Sequence, residues 1–345
     1  PGPAAHLALR DWSVIPRLAA HGDIGFAEDY RDGRWESRDP VALLLFALRN
    51  EQALNKYIYG GFLSRVAARL GGVLTRNSLS GSRRNIRAHY DLGNRFYKLW
   101  LDPSMTYSSA LFANENSTLE AAQHAKYDRI LNKLTPGRTL EIGCGWGGFA
   151  ERAVARDHEV RGITLSEEQY RFSSERLRGN AEFVLEDYRI QEGKYDSIVS
   201  IEMFEAVGER YWPVYFRKLA ALLKPEGRAM VQTITIDDRL FSAYRKGGDM
   251  IRRYIFPGGM LPSPERFRQE AEKAGLRIED RYAFGLDYAR TMRHWLNAFD
   301  ARRREVQELG FDEGFIRMWR FYLASCIACF EAGRTNVMQV ELRHA

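Results

Sequence analysis

The chain reads as an α/β protein: a mostly parallel sheet preceded by a small helical region. Three observations predict this. Beyond residue 125, short apolar runs alternate with amphipathic stretches of helix length, the pattern of a parallel sheet covered on both faces. One such run feeds a turn crowded with glycine, Thr139-Leu-Glu-Ile-Gly-Cys-Gly-Trp-Gly-Gly-Phe149. Residues 1–80, by contrast, carry two helical patterns and no strand alternation. At 345 residues, 45% of them hydrophobic and 28% charged, the chain can bury one large core with a smaller region beside it.

In chain order, Val41, Leu44, Leu45 and Leu48, then Leu54, Tyr57 and Ile58, recur three and four residues apart. Gly60-Gly61 breaks the pattern. Phe62, Leu63, Val66, Ala67 and Leu70 resume it until Gly71-Gly72, and 74–82 reads as a linker. The 1–80 region is either scaffolding or an amphipathic, lipid-facing surface. Strands are expected at 139–142, 159–163, 181–185, 197–201 and 227–235, with helices at 147–156, 166–178 and 212–223. Gly143, Thr164, Glu186-Asp187 and 202–205 then fall at the carboxyl ends of strands, where such sheets bind ligands. The basic, aromatic stretch 237–300 reads as an inserted lid. Residues 311–332 are apolar enough for core or for contact with a second copy of the chain, a homodimer.

Composition narrows the function classes. The net charge is +6 and the pI ≈ 9.2, so polyanions attract the chain, and both nucleic acid and anionic lipid qualify. Basic residues gather at 83–87, 245–246, 252–253 and 302–304, but no nucleic-acid-binding signature accompanies them, so nucleic acid is set aside. No run approaches the ~20 apolar residues of a membrane span. The first residues lack a signal-peptide pattern, and the expected location is cytoplasmic. Cys144, Cys326 and Cys329 cannot make a disulfide framework, and the last two read as small apolar residues on a buried helix. Seven scattered histidines show no ligand spacing, so no metal is expected; His89 and His294 read as core or pocket-lining.

The glycine turn carries the chemistry. Gly143, Gly145, Gly147 and Gly148 allow a tight bend against which a ligand can lie. Dinucleotide-binding folds share this spacing. The acid two residues before the first glycine, Glu141, suits the ammonium of an amino-acid moiety and repels a pyrophosphate. That points to S-adenosylmethionine (SAM) as cofactor, a methyltransferase, over a Rossmann dehydrogenase or a plain strand–helix turn.

Taken in order, His89-Tyr-Asp-Leu-Gly-Asn94, Leu101-Asp-Pro-Ser-Met-Thr-Tyr-Ser108, 141–148, Met203-Phe-Glu-Ala-Val-Gly208 and Tyr254-Ile-Phe-Pro-Gly258 resemble the cyclopropane-fatty-acid synthase family. These are SAM-dependent lipid methyltransferases, and the resemblance covers residues 83–340. It implies a Rossmann-like, seven-stranded, mostly parallel SAM-methyltransferase sheet with a small N-terminal helical region and a lid insertion. It also implies methylation of a double bond in an unsaturated acyl chain of a phospholipid. The partner would be an anionic phospholipid membrane surface, met peripherally at its inner face. Carried over by position, Tyr107 and Ser108 lie along SAM, and Gly143 and Gly145 floor its methionine part. Thr164, Leu165 and Gln169 meet the ribose, and Glu186, Asp187 and Tyr188 border the adenine. Thr164 has a plain alternative as a helix cap, and Tyr188 as a packed aromatic.

An alkene attacking a sulfonium methyl leaves a carbocation, which needs a dry site, aromatic faces at roughly 0.5–2 kcal/mol each, and a base. Tyr107, Phe112, Phe204, Tyr254, Phe256, Tyr288 and Trp295 are the aromatics on offer. In the family the base is a bicarbonate held by a cysteine, a glutamate, a histidine, a backbone amide and a tyrosine. The glutamate matches Glu205, the amide Ile234 and the tyrosine Tyr288, whereas Ser109 replaces the cysteine and Gln232 the histidine; Ala206 also stands where a histidine usually follows the glutamate. The proton removed decides between a cyclopropane ring and a methyl or methylene branch. An amine N-methyltransferase, with Glu202 and Glu205 as acids in the acceptor pocket, is the alternative reading.

Overall fold

A computed structural model describes residues 5–51, 77, 81–82 and 92–345. The helical pattern expected at 54–72, the basic cluster at 83–87, and His89 with its two neighbours lie outside the described residues.

Two-residue strands β1 (Ala8–Leu9) and β2 (Trp35–Glu36) pair antiparallel around the helix Val14–Arg31. That helix is broken at Gly22, whose φ of +61° a helix cannot hold. The next helix, Pro40–Arg49, starts where the Asp39 carboxylate accepts from the Ala42 amide at 3.0 Å, with proline at its first position. This front region joins the main core. Trp35 stacks on Phe26 at 4.1 Å and meets Phe321 at 6.1 Å. Arg317, from the helix Glu313–Glu331, donates to the carbonyls of Tyr30 and Trp35. The front helices and Glu313–Glu331 thus bury one cluster with Trp295 and Trp319. The apolar side of 311–332 is covered by this chain's own residues.

The main sheet holds β3 (Arg138–Ile142), β4 (Glu159–Thr164), β5 (Glu182–Leu185), β6 (Tyr195–Ile201), β7 (Leu223–Ile236), β8 (Leu276–Ala283) and β9 (Thr335–His344). Their order is β5-β4-β3-β6-β7-β9-β8. The first five run parallel, and β9 lies antiparallel between β7 and β8. The helices Trp212–Leu222 and Pro264–Lys273 bury aromatics against one face, and Leu119–Leu131 and Gly148–Val154 cover the other. The ends of β3, β4, β5 and β6 share one edge, with Gly143, Thr164, Glu186 and Glu202 aligned along it.

Two strands of the main sheet, β8 and β9, fall outside the strands expected from the sequence, as do the two-residue strands β1 and β2. β8 is an edge strand with charged residues on nearly every outward position, and the sequence reading placed it inside the lid. The structure corrects this. Within 237–300, the helix Pro264–Lys273 and β8 belong to the sheet layer, and the helix Gly285–Ala301 packs on the helix Glu313–Glu331. What overhangs the sheet edge is 237–262, which contains the helix Asp238–Lys246 and the turn Ile251–Ile255. It rejoins the sheet where the Ile236 amide donates to the Pro262 carbonyl at 3.0 Å.

Candidate active site

The glycine turn is tied across the sheet. The amides of Gly143 and Cys144 both donate to the Ile163 carbonyl, at 2.9 and 3.0 Å. Gly143 holds φ +82°, and a Cβ there would stand 2.9 Å from the Met203 side chain, so only glycine fits. Beneath the turn, Glu141 is buried, and its Oε2 has no hydrogen-bond partner among the described residues. Burial raises its carboxyl far above the usual range, with Lys126 pulling the other way. A ligand ammonium would give that orphaned oxygen its partner, which fits the methionine end of SAM.

Along the same edge, Ser166 caps the next helix by accepting from the Gln169 amide at 3.3 Å, so the cap is Ser166 and not Thr164. Thr164 donates to Gln169 Oε1 at 2.8 Å. Asp187 binds the Arg189 guanidinium at 2.6 Å, Glu186 accepts from Gln191, and Tyr188 packs edge-on against Tyr215. Tyr107, Ser108, Glu141, Gly143, Gly145, Thr164, Leu165, Gln169, Glu186, Asp187 and Tyr188 all line one cavity.

That cavity is large, ≈ 1040 Å³. From the glycine turn it continues into an apolar channel. Its walls come from the front helices (Leu18, Leu43, Leu44), the overhang (Met250, Phe256) and the helix Glu313–Glu331 (Phe321). Cys326 and Cys329 stand in the wall, and burial pushes the Cys329 thiol up to about 11, so both remain neutral thiols. Leu7 and Phe46 line the cavity and are also exposed, at 40% and 53%, which places its mouth at the front region.

Where channel and glycine turn meet lie Tyr107, Phe256 and Tyr288, with the fully buried Trp295 behind them. The other expected aromatics lie elsewhere. Phe204 stacks with Trp212 in the core, Tyr254 donates to Glu28, and Phe112 carries Arg290 on its face. His294 is exposed and stacks on Phe112, a correction to its expected place in core or pocket. Among the described residues no cluster of potential metal ligands occurs.

The residues expected around bicarbonate are arranged differently from that expectation. Glu205, Ile234 and Tyr288 line the cavity; Ser109 and Gln232 are buried behind it. The Ser109 hydroxyl donates to the Ala110 carbonyl at 3.0 Å. Its amide donates instead to Glu202 Oε1 at 2.8 Å, the same oxygen that Gln232 Nε2 reaches at 2.7 Å. The Tyr288 hydroxyl donates to Glu202 Oε2 at 2.5 Å. The Ile234 amide and the Thr233 hydroxyl are both taken by Glu205 Oε1. Glu202 is thus the hub, a role the sequence reading missed. It stands at φ +51°, a left-handed conformation that costs a non-glycine residue roughly 1–2 kcal/mol. The signal available in the sequence was a second acid, three residues before Glu205, at the end of a strand.

Burial also sets the protonation. It raises Glu202, while Tyr288, Lys126, Ser109 and Gln232 favour its charged form. Lys126 is fully buried, bonded to Ser108 Oγ at 2.6 Å and Gln123 Oε1 at 2.7 Å, and burial pushes its ammonium down to about 7. Glu205 is pushed up to about 8 by burial first and by Glu202 second, and its Oε2 has no hydrogen-bond partner among the described residues. Burial therefore favours the protonated form of Glu205 at neutral pH.

The family described as "Mycolic acid cyclopropane synthetase" matches residues 77–340. The chain is 38% identical to the tuberculostearic acid methyltransferase UfaA1 of Mycobacterium tuberculosis, across 95% of this chain and 80% of that protein. It is 34% identical to the cyclopropane-fatty-acyl-phospholipid synthase of Escherichia coli K12, across 97% and 87%. The structure is similar to that of the mycolic acid cyclopropane synthase CmaA1 complexed with SAH and CTAB: TM-score 0.71, 32% identity, 75% of this chain and 97% of that one.

The Glu205 carboxyl makes a prediction. Its folded value of about 8 exceeds the ordinary 4.5, so between those values the folded state holds a proton that the unfolded state has released. Its contribution to stability is full below 4.5 and declines as pH rises to 8, by at most ~1.4 kcal/mol per pH unit. Urea unfolding across pH 5–9 should therefore show Glu205→Gln losing less stability with rising pH than the wild type. Parallel pH profiles for the two would show that Glu205 is ionised in the folded protein at neutral pH.

Proposed function

The chain belongs to the mycolic acid cyclopropane synthetase family and is a SAM-dependent methyltransferase, and from that premise we propose that it methylates the double bond of an unsaturated acyl chain of a membrane phospholipid. The product is a cyclopropane or a methyl- or methylene-branched chain. The observation that supports this reading is one cavity of ≈ 1040 Å³ lined both by the glycine turn and by apolar side chains of the front helices, the overhang and the helix Glu313–Glu331.

The residues divide the work by position. SAM, when bound, supplies an electrophilic methyl. Lining the same cavity, Glu141 and the Gly143 turn would hold the amino-acid end of SAM, Thr164 and Gln169 would face the ribose, and Glu186 to Tyr188 would close the adenine side. The channel walls fix the acyl chain and keep water out. A positive charge developing beside the double bond is then faced by the rings of Tyr107, Phe256 and Tyr288. The amine reading needs carboxylates free to receive a cationic acceptor. Glu202 is engaged by three donors and burial favours the protonated form of Glu205, so the acceptor end suits an uncharged alkene better.

Membrane contact belongs at the channel mouth. Leu7 and Phe46 are apolar groups offered to a bilayer there, and Trp12, 80% exposed, and Ile15 are further exposed apolar groups of the same front region. The basic residues gathered at 245–246 and 252–253 are only partly available to anionic headgroups. Arg252 is held inside the overhang by Asp249 and by the carbonyls of Tyr244 and Gly247, and Arg245 pairs with Glu209. Among the described residues no helix is long and apolar enough to cross a membrane.

Two outcomes are expected. SAM carrying a carbon-13 methyl, given with vesicles of monounsaturated phosphatidylglycerol, should place label in the acyl chain. Carbon NMR then separates ring, methylene and methyl products, whereas label in an amine and none in lipid would overturn the reading. Sedimentation with anionic vesicles should weaken by at least about tenfold between low and high salt. Trp12→Ser with Phe46→Ser should lower the binding that remains; unchanged binding would place the membrane contact elsewhere.

A further inference from the structure

The carbocation left on the methylated acyl chain must lose a proton, and the family resemblance assigns that proton to bicarbonate. The donors in this chain do not fit a free anion. Of the five groups expected to hold it, Gln232 and Tyr288 close on the two oxygens of Glu202, the Ile234 amide closes on Glu205, and the Ser109 hydroxyl turns to the Ala110 carbonyl while the Ser109 amide, not among the five, adds a third donor to Glu202. An added anion would have to displace a carboxylate from donors 2.5–2.8 Å away and sit beside two acidic side chains.

We propose that Glu202 is itself the base of the reaction, its side-chain carboxylate standing where the family places bicarbonate. This rests on the alkene-methylation reading. Three independent features support it. The Glu202 carboxylate borders the cavity beside Tyr288, Met203 and Ile234, at the junction of the glycine turn and the channel. Its backbone is held at φ +51°, with its amide bonded to the Gln232 carbonyl at 2.8 Å, a conformation that glycine would adopt without strain. Its donors are themselves fixed. Arg129 can only donate, so the Gln339 oxygen faces it at 2.9 Å, and Gln339 Nε2 then donates to Gln232 Oε1 at 3.0 Å. That leaves the Gln232 amide group turned toward Glu202.

The step is one proton transfer. A C–H bond breaks, on the new methyl group if the ring is to close or on a carbon adjacent to the cationic centre if a double bond is to form; its electron pair makes the new C–C σ or π bond, and the proton goes to Glu202 Oε2. The carboxylate becomes a carboxylic acid and returns the proton to solvent before the next turnover. Tyr288, whose phenol burial holds in the protonated form, keeps that oxygen aimed.

The test compares turnover in carbonate-free buffer with turnover after added sodium bicarbonate, read by labelled methyl in the acyl chain. Wild type should turn over equally in both. Glu202→Gln should lose at least about 100-fold in kcat in both, with S-adenosylhomocysteine affinity unchanged within about twofold. Glu202→Gly, which suits the backbone at this position, should be comparably slow without bicarbonate and recover when it is added, a response that a merely structural residue would not give. Wild-type activity that collapses on carbonate removal and returns with bicarbonate would overturn the proposal. So would Glu202→Gln turning over within about threefold of wild type in carbonate-free buffer. A wild type that binds S-adenosylhomocysteine yet labels no acyl chain would instead overturn the substrate reading beneath it.

Discussion

The constraint that organises this site is the burial of a carboxylate. Moving one from water into a protein interior costs several kcal/mol unless its oxygens are satisfied, and Glu202 sits where the sheet edge, the cavity and the helix Gly285–Ala301 meet. Everything around it answers that cost. Two N–H donors take one oxygen, a phenol takes the other, and the buried ammonium of Lys126 contributes opposite charge. Ser109, Gln232 and Tyr288 come from a loop, a strand and a helix that only the folded chain brings together.

The arrangement extends outward in a definite polarity. β9 lies antiparallel to β7, with Gln339 opposite Gln232, and this register makes the two amides neighbours. Arg129 stacks on Tyr282 of the edge strand β8 and pairs with Asp280. Edge strand, central strand and active-site carboxylate are linked through a chain of donors that admits one orientation at each step. A sheet that ended at β7 would lack the group that turns Gln232.

Much of the fold was legible because its signals are local. Five parallel strands showed as apolar runs followed by helices, and the glycine turn announced itself by residues that tolerate positive φ. β8 did not, because an edge strand has one neighbour and can carry charge at most positions. The cavity residues from Tyr107 to Tyr188 were legible by likeness to a family. Glu202 was not, since its role depends on three donors 30 to 93 positions away. Ser109 and Gln232 read as replacements of the family's cysteine and histidine when matched one by one; seen together with Glu202 they are partners of a carboxylate the chain supplies itself. The expectation for Arg252 failed similarly: a charge in a basic run reads as surface, but this one closes hydrogen bonds inside the overhang.

The central claim is that cofactor, alkene and Glu202 meet at one junction of one cavity. The most direct measurement is a crystal structure with S-adenosylhomocysteine and an unsaturated phospholipid bound together. The account predicts the sulfur over the Gly143 turn, the acyl chain running between the front helices and the helix Glu313–Glu331, and the double bond between the sulfur and the Glu202 carboxylate. A double bond lodged away from Glu202, or an acyl chain outside the channel, would contradict it.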